Sequence, residues 1–117
     1  SCETAHYTAK SPLNLSDHKL EISRVNYDYY SIDTWELLPL DSVLLQNTWG
    51  WGSREEQNLP SCVIEEIDSI SVVNMSDSTL IFTGDFTDEN RWHSEFSDGR
   101  SSNQTCTFAF VNNDFVD

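Results

Sequence analysis

The chain has few basic residues, few glycines and prolines, and no long apolar run. Six Lys and Arg stand against twenty Asp and Glu, which gives a formal net charge of −14 over 117 residues. Like charges repel, so this balance excludes nucleic acid and anionic membranes as direct partners and favours basic proteins or cations. Solubility alone is the other interpretation of the charge. Three Pro and four Gly are too few for a linker or a low-complexity chain, and no segment approaches the roughly 18 apolar residues of a membrane span.

Signatures of catalysis and metal binding are also missing. There is no GxSxG or HExxH motif, and His6, His18 and His93 are far apart in the sequence. In RWHSEF (91–96), His93 and Glu95 share one face of a predicted strand while Ser94 lies on the other, so these neighbours cannot form a catalytic triad. The loop GDFTDEN (84–90) has carboxylates but lacks the spacing of an EF-hand. We predict a protein that is not an enzyme and has no metal or cofactor.

Aromatic residues indicate a folded domain. Four Trp, four Tyr and six Phe are too many for a disordered chain, and 117 residues suffice for one modest core. Residues 1–17 are polar, so we predict a tether or arm there. Residues 18–117 then form a single β-rich domain.

Alternating apolar and polar residues predict strands with one buried face. The clearest inward-facing sets are Leu20 with Ile22 and, near the C-terminus, Cys106, Phe108 and Phe110. Asp98-Gly99 is the strongest hairpin signal, and TDEN (87–90) is predicted as another hairpin loop. The spacing favours an all-β fold, mainly an antiparallel meander, arranged as a small sandwich or barrel.

One segment, LPLDSVLLQ (38–46), is the best helix candidate. Asp41 or Ser42 is suited to cap one or two turns, with Val43, Leu44 and Leu45 facing inward. We therefore expect one short helix around residues 40–46.

The three cysteines are Cys2, Cys62 and Cys106, and none is in a CxxC motif. Cys62 and Cys106 both lie in strand-like segments, so we predict a disulfide between them and an exported protein, periplasmic or extracellular. Cys2 is then available for a lipid or for an intermolecular disulfide in a homodimer. Ser1-Cys2 resembles the end of a bacterial lipobox, where a small residue precedes the lipid-modified cysteine. A bridge from Cys2 to either other cysteine, and three free thiols in the cytosol, are the alternatives.

Two tryptophans stand one residue apart in NTWGWGSREE (47–56). If this segment is a strand, Trp49 and Trp51 share a face. We expect Trp49 to be buried, because burial is the commoner fate of tryptophan. Trp51 is nearer the polar loop that follows, so we expect it to be partly exposed.

The charge favours an exported binding protein that inhibits or neutralises a basic partner, a hydrolase or toxin. Periplasmic immunity proteins and inhibitors of cell-wall-degrading enzymes are of this general kind, and an acidic surface steers a basic enzyme towards it. A cytosolic DNA mimic is one alternative. Another is a carbohydrate-binding module that stacks sugars on Trp49, Trp51, Tyr27, Tyr29 and Tyr30. The predicted partner-binding residues are Asp85, Asp88, Glu89 and Asp98 as charge contacts and Trp51 as an apolar anchor.

Overall fold

The described residues form an all-β protein, as predicted. The computed structural model describes residues 3–26, 30–53, 61–64, 69–97 and 102–117. Short 3-10 helices cover Glu89–Arg91 and Asn112–Asp114. The strands are β1 (Glu3–Asn14), β2 (Leu20–Asn26), β3 (Ser31–Leu37), β4 (Gln46–Ser53), β5 (Ile70–Asn74), β6 (Ile81–Phe82), β7 (Trp92–Ser97), β8 (Ser102–Phe110) and β9 (Phe115–Val116).

The strands form two sheets that enclose the core. The first sheet has the order β4-β1-β8-β7 and the second has the order β3-β2-β5-β6-β9. Pairing between neighbours is antiparallel except for β1 and β8, which run parallel. This arrangement is a small sandwich in which each sheet buries one face. It confirms the predicted fold class.

The core is mainly aromatic and comes from the alternating segments. Phe108 and Phe110 of β8 are fully buried, as the sequence predicts. The ring centroids of Phe86 and Phe108 are 4.7 Å apart, and those of Phe82 and Phe110 are 5.4 Å apart. Full burial of one such side chain contributes about 2–3 kcal/mol. The predicted inward residues Leu20, Ile22 and Cys106 are also fully buried.

Residues 3–14 form a strand inside the first sheet instead of the predicted tether or arm. β1 lies between β4 and β8. Its buried positions include the apolar Pro12, but also the polar Thr8 and Asn14. Hydrogen bonds satisfy these groups, since Asn14 Nδ2 donates to His18 O at 2.7 Å and to Leu37 O at 3.1 Å. A search for apolar alternation misses such a strand, because polar side chains occupy some of its buried positions.

The predicted helix around residues 40–46 does not form. Pro39 occupies the second position of a turn that closes with a 2.9 Å hydrogen bond from Asp41 N to Leu38 O. The chain then runs extended beside β1, where Leu45 N donates to Lys10 O at 2.9 Å. Leu45 is buried, but Leu44 is 53% exposed and does not face the core. The backbone amides of this segment thus donate to carbonyls of β1 instead of to carbonyls within a helix.

The predicted hairpin loop at 87–90 is wrong. The connection from β6 to β7 crosses from the second sheet to the first. Phe86 is buried in the core within this connection, and the chain turns through a 3-10 helix before β7. β7 and β8 do pair as an antiparallel hairpin, with Ser97 opposite Asn103. Asp98-Gly99 lies outside the described residues.

The predicted disulfide is present. Cys62 and Cys106 are joined with Cα atoms 5.6 Å apart, and both are buried. The bond ties segment 61–64, which is in no strand, to the middle of β8. A buried disulfide is compatible with an oxidising, non-cytosolic compartment. Within the described ranges, no helix is long and apolar enough to span a membrane.

Candidate functional site

Three of the predicted contact residues share one surface loop, residues 85–89, which we name the acidic loop. Asp85 Oδ1 accepts hydrogen bonds from Thr87 Oγ1 at 2.6 Å and from Thr87 N at 2.8 Å. Asp88 Oδ1 accepts from Asn90 N at 3.0 Å. Glu89 Oε1 accepts from Ser61 Oγ at 2.8 Å. These donors are all neutral, so the carboxylates are oriented while their negative charge is kept.

Asp85 is ionised more readily than an ordinary aspartate. The Thr87 hydroxyl and then the Thr87 amide lower the pKa of its carboxyl, because both hydrogen bonds favour the charged form. The side chain is exposed. Asp85 therefore presents a full negative charge to solvent at neutral pH.

The frame of the acidic loop is rigid. Phe86 is buried, and its carbonyl oxygen accepts hydrogen bonds from Trp92 Nε1 at 2.9 Å and from Ile64 N at 3.1 Å. The first bond ties the loop to β7. The second ties it to the segment that carries Cys62. The loop is thus fixed to both the sheet and the disulfide.

Arg91 follows the acidic loop and is held by Asp114. Arg91 NH1 and NH2 donate to Asp114 Oδ1 and Oδ2 at 2.7 and 2.8 Å, and NH2 also donates to Ala109 O at 2.9 Å. The guanidinium lies 4.5 Å from the centre of the Phe108 ring. Hydrogen bonding to Asp114, and in addition the charge of Asp88, raises the pKa of Arg91. The guanidinium of Arg91 therefore binds groups of its own chain, the carboxylate of Asp114 and the carbonyl of Ala109.

The other described bases are also engaged by their own chain. Lys10 Nζ donates to Val63 O at 2.8 Å, and Arg24 NH1 donates to Leu45 O at 2.6 Å. Lys19 Nζ lies 3.4 Å from Glu36 Oε2. Each of the described bases therefore has a partner within its own chain, and over the whole chain twenty acids outnumber six bases.

The backbone position of Trp51, another predicted contact, is on a different strand from the acidic loop. Trp51 lies in β4, opposite Ala5, and its side chain is outside the described part. β4 and β7 are the two edges of the first sheet, three interstrand spacings or about 14 Å apart. Asp98 and Cys2 lie outside the described residues. Among the predicted contacts whose side chains are described, Asp85, Asp88 and Glu89 are brought together.

The aromatic residues predicted for sugar stacking are only partly described. Trp49 and Trp51 do lie in a strand, but their side chains are not described. Tyr30 is 94% exposed, between β2 and β3. Tyr27 and Tyr29 fall outside the described residues.

The histidine of β7 lies beside a glutamate on the exposed face of the strand. His93 Nε2 lies 3.3 Å from Glu95 Oε1, which confirms their shared face, and both are exposed. Ser94 Oγ instead accepts from Gln104 Nε2 at 3.0 Å. Among the residues described, no three His, Cys, Asp or Glu side chains are grouped to hold a metal ion.

The residues that orient the acidic loop were not predicted from the sequence. Thr87, Asn90 and Ser61 orient its carboxylates through the hydrogen bonds given above. Asp85-Phe86-Thr87 carries a detectable signal, since aspartate two residues before threonine is typical of a local side-chain turn. The role of Ser61 depends on a contact between segments 28 residues apart, which no local pattern reveals.

Comparison with protein-family models, curated proteins and solved structures finds no match for this chain.

Proposed function

We propose that this chain is an exported acidic binding protein that inhibits or neutralises a basic partner, such as a cell-wall-degrading hydrolase or a toxin. One observation carries the proposal. The three carboxylates of the acidic loop are held by neutral donors, while the described bases are engaged by their own chain. The charge is therefore preserved, oriented and displayed at the surface.

Such a surface first increases the rate at which a basic partner associates with the protein. A concentrated field of one sign raises association rates by a factor of about 10 to 1,000 at low salt. At physiological ionic strength the screening length is about 8 Å, so the charges act mainly as the partner approaches contact. The rigid frame of the loop adds to this effect, since carboxylates that are already oriented lose little freedom on binding.

The cysteines support an exported setting. The Cys62–Cys106 bond persists in the periplasm or outside the cell, and it weighs against a cytosolic DNA mimic. Cys2 then supplies either a lipid anchor or a bridge to a second copy.

Capture of the partner tests the proposal. The wild-type chain is immobilised and exposed to exported proteins of the native host at physiological salt. A control chain carries Asp85→Asn, Asp88→Asn and Glu89→Gln, which removes the charge of the loop. We expect the wild type, but not the control, to retain a basic protein, and the purified partner to lose its activity when the wild type is added. Retention of acidic proteins only, or a partner whose activity is unchanged, would contradict the proposal.

Carbohydrate binding is the second candidate, and the exposure of Tyr30 favours it. Aromatic rings that face solvent can stack on sugars. Addition of cell-wall glycans would then shift the tryptophan fluorescence. An unchanged spectrum at millimolar glycan would leave only the first candidate.

A further inference from the structure

A turn at one end of the sandwich displays leucine side chains to solvent. Residues 38–41, which we name the leucine turn, connect the end of β3 to the segment beside β1. Leu38 is 55% exposed and Leu40 is 78% exposed. The backbone of Leu40 has φ 75°, in the left-handed region.

Leucine is a poor choice for this backbone position. Asp41 N donates to Leu38 O and Pro39 is at the second position, so Leu40 occupies the third position, where this turn requires positive φ. Glycine or asparagine is preferred there because a larger side chain crowds the backbone. Strained conformations persist where the surroundings enforce them, and they are common at binding sites. Core packing does not explain this leucine, because its side chain is mostly in solvent.

The leucine turn is held rigidly. Leu38 N donates to Asp41 Oδ2 at 3.0 Å within the turn. Leu40 N donates to Asn14 O at 2.6 Å, and Asn14 N donates to Asp41 O at 2.9 Å. Asn14 is itself fully buried. Leu40 is therefore fixed in place before any partner arrives.

Other apolar side chains lie beside the leucine turn. Leu15 follows Asn14 directly and is 48% exposed, and Val111 is 39% exposed. Leu15 N donates to Phe110 O at 2.8 Å, which joins these two segments. Backbone hydrogen bonds thus join the ends of β1 and β8 to the leucine turn, and each of these segments carries an exposed apolar side chain.

Two carboxylates lie beside these apolar side chains, and each accepts a hydrogen bond from a neutral donor. Asp17 Oδ2 accepts from Asn112 Nδ2 at 2.9 Å, and Asp41 accepts from the amide of Leu38. Within the described ranges neither aspartate forms an ion pair with a base. An apolar centre with an acidic border is complementary to a basic protein that has an apolar cleft. A second copy is a poor occupant because each copy carries a net charge of −14.

We infer that Leu40 is an apolar anchor that inserts into a cleft of the basic partner, with Leu15, Leu38 and Val111 around it and Asp17 and Asp41 at the border. This rests on the function proposed above and adds a contact surface to the acidic loop. The two surfaces are linked by residues 109–114, which bond to Arg91 on one side and to Leu15 and Asp17 on the other. The loop steers the partner, and the leucine turn supplies the contact that does not depend on salt.

Paired asparagine substitutions test this inference. Leu40→Asn removes the anchor and suits the positive φ, whereas Leu44→Asn alters a leucine of the same connection that is 53% exposed but lies outside the turn. The probe is the basic protein that the wild type retains in the capture experiment. We expect Leu40→Asn to raise the melting temperature, to weaken binding at least about tenfold, and to leave the salt dependence unchanged. Leu44→Asn should bind within about twofold of the wild type.

The outcomes separate the two proposals. If Leu40→Asn and Leu40→Gly both bind the basic protein as the wild type does, the anchor is refuted while the proposed function stands. Equal weakening by Leu44→Asn would also refute the anchor, because the effect would not be specific to the turn. If the wild type retains no basic protein, the proposed function fails and the anchor fails with it.

Discussion

Asp114 holds Arg91 through two hydrogen bonds of 2.7 and 2.8 Å, which join the loop before β7 to the C-terminal segment. Asp114 Oδ2 also accepts from Val111 N at 2.9 Å. The side chain of Asp114 is only 7% exposed and that of Arg91 is 29% exposed. One carboxylate thus orders two connections and keeps the base beside the acidic loop largely out of solvent.

Removing the carboxylate of Asp114 should lower the free energy of unfolding much more than removing an exposed carboxylate. Asp114→Asn leaves the partly buried guanidinium without its counter-charge, which should lower the free energy of unfolding by about 2 kcal/mol, less than for a fully buried pair. Glu36→Gln breaks the exposed pair with Lys19 and should cost less than about 1 kcal/mol. Urea unfolding of both variants measures the difference. Equal losses would show that Arg91 and Asp114 contribute no more than a surface pair.

The disulfide should account for a large part of the stability. Cys62 and Cys106 are 44 residues apart, and closing a loop of that length is worth about 4 kcal/mol in the chain-entropy estimate. Replacing both with alanine should lower the free energy of unfolding by about that amount. Reduction of the wild type is the matched control and should give a similar loss. A loss below about 1 kcal/mol in both would contradict this role.

Gly84 should be intolerant of even a methyl group. A Cβ at this position would lie 2.5 Å from Phe82 Cζ, and the Phe82 ring packs against Phe86, Phe110 and other core rings. Gly84→Ala forces that ring to move and should destabilise the fold by about 1–3 kcal/mol. Ser78→Ala in an exposed turn serves as the control and should have little effect. Thermal unfolding distinguishes the two, and equal melting temperatures would contradict the close packing.

The effect of the Thr87 hydroxyl on the pKa of Asp85 should be measurable by titration. Its hydrogen bond lowers the pKa of Asp85 below the ordinary 3.8, so Thr87→Val should move that pKa back towards 3.8. A lowered folded-state pKa stabilises the fold above the unfolded-state pKa, and this contribution is lost as the pH falls through the folded-state pKa. Carbon-detected NMR of the carboxyl follows the titration. An unchanged pKa in the variant would exclude the hydroxyl as the main cause.

The sequence allowed prediction of features that depend on local alternation. Phe108 and Phe110 in β8 follow the period of a strand, and the β7–β8 hairpin follows its turn signal. β1 was not predicted because some of its buried positions hold polar residues, such as Thr8 and Asn14, whose partners are distant in sequence. The helix around residues 40–46 was wrong because hydrogen bonds to β1 compete with those of a helix. For the site, sequence identified the charged residues of the acidic loop but not what orients them.

The most direct test of the central claim is the association rate with the captured basic partner as a function of salt. The double variant Asp88→Lys and Glu89→Lys reverses the charge of the acidic loop, while Glu95→Lys with Asp117→Lys makes the same change in net charge elsewhere. A field concentrated on the loop predicts that the first variant associates at least about tenfold more slowly at low salt, with a flatter salt dependence, and that the second stays close to the wild type. Equal rates for wild type and both variants at every salt concentration would contradict the claim that the acidic loop steers a basic partner.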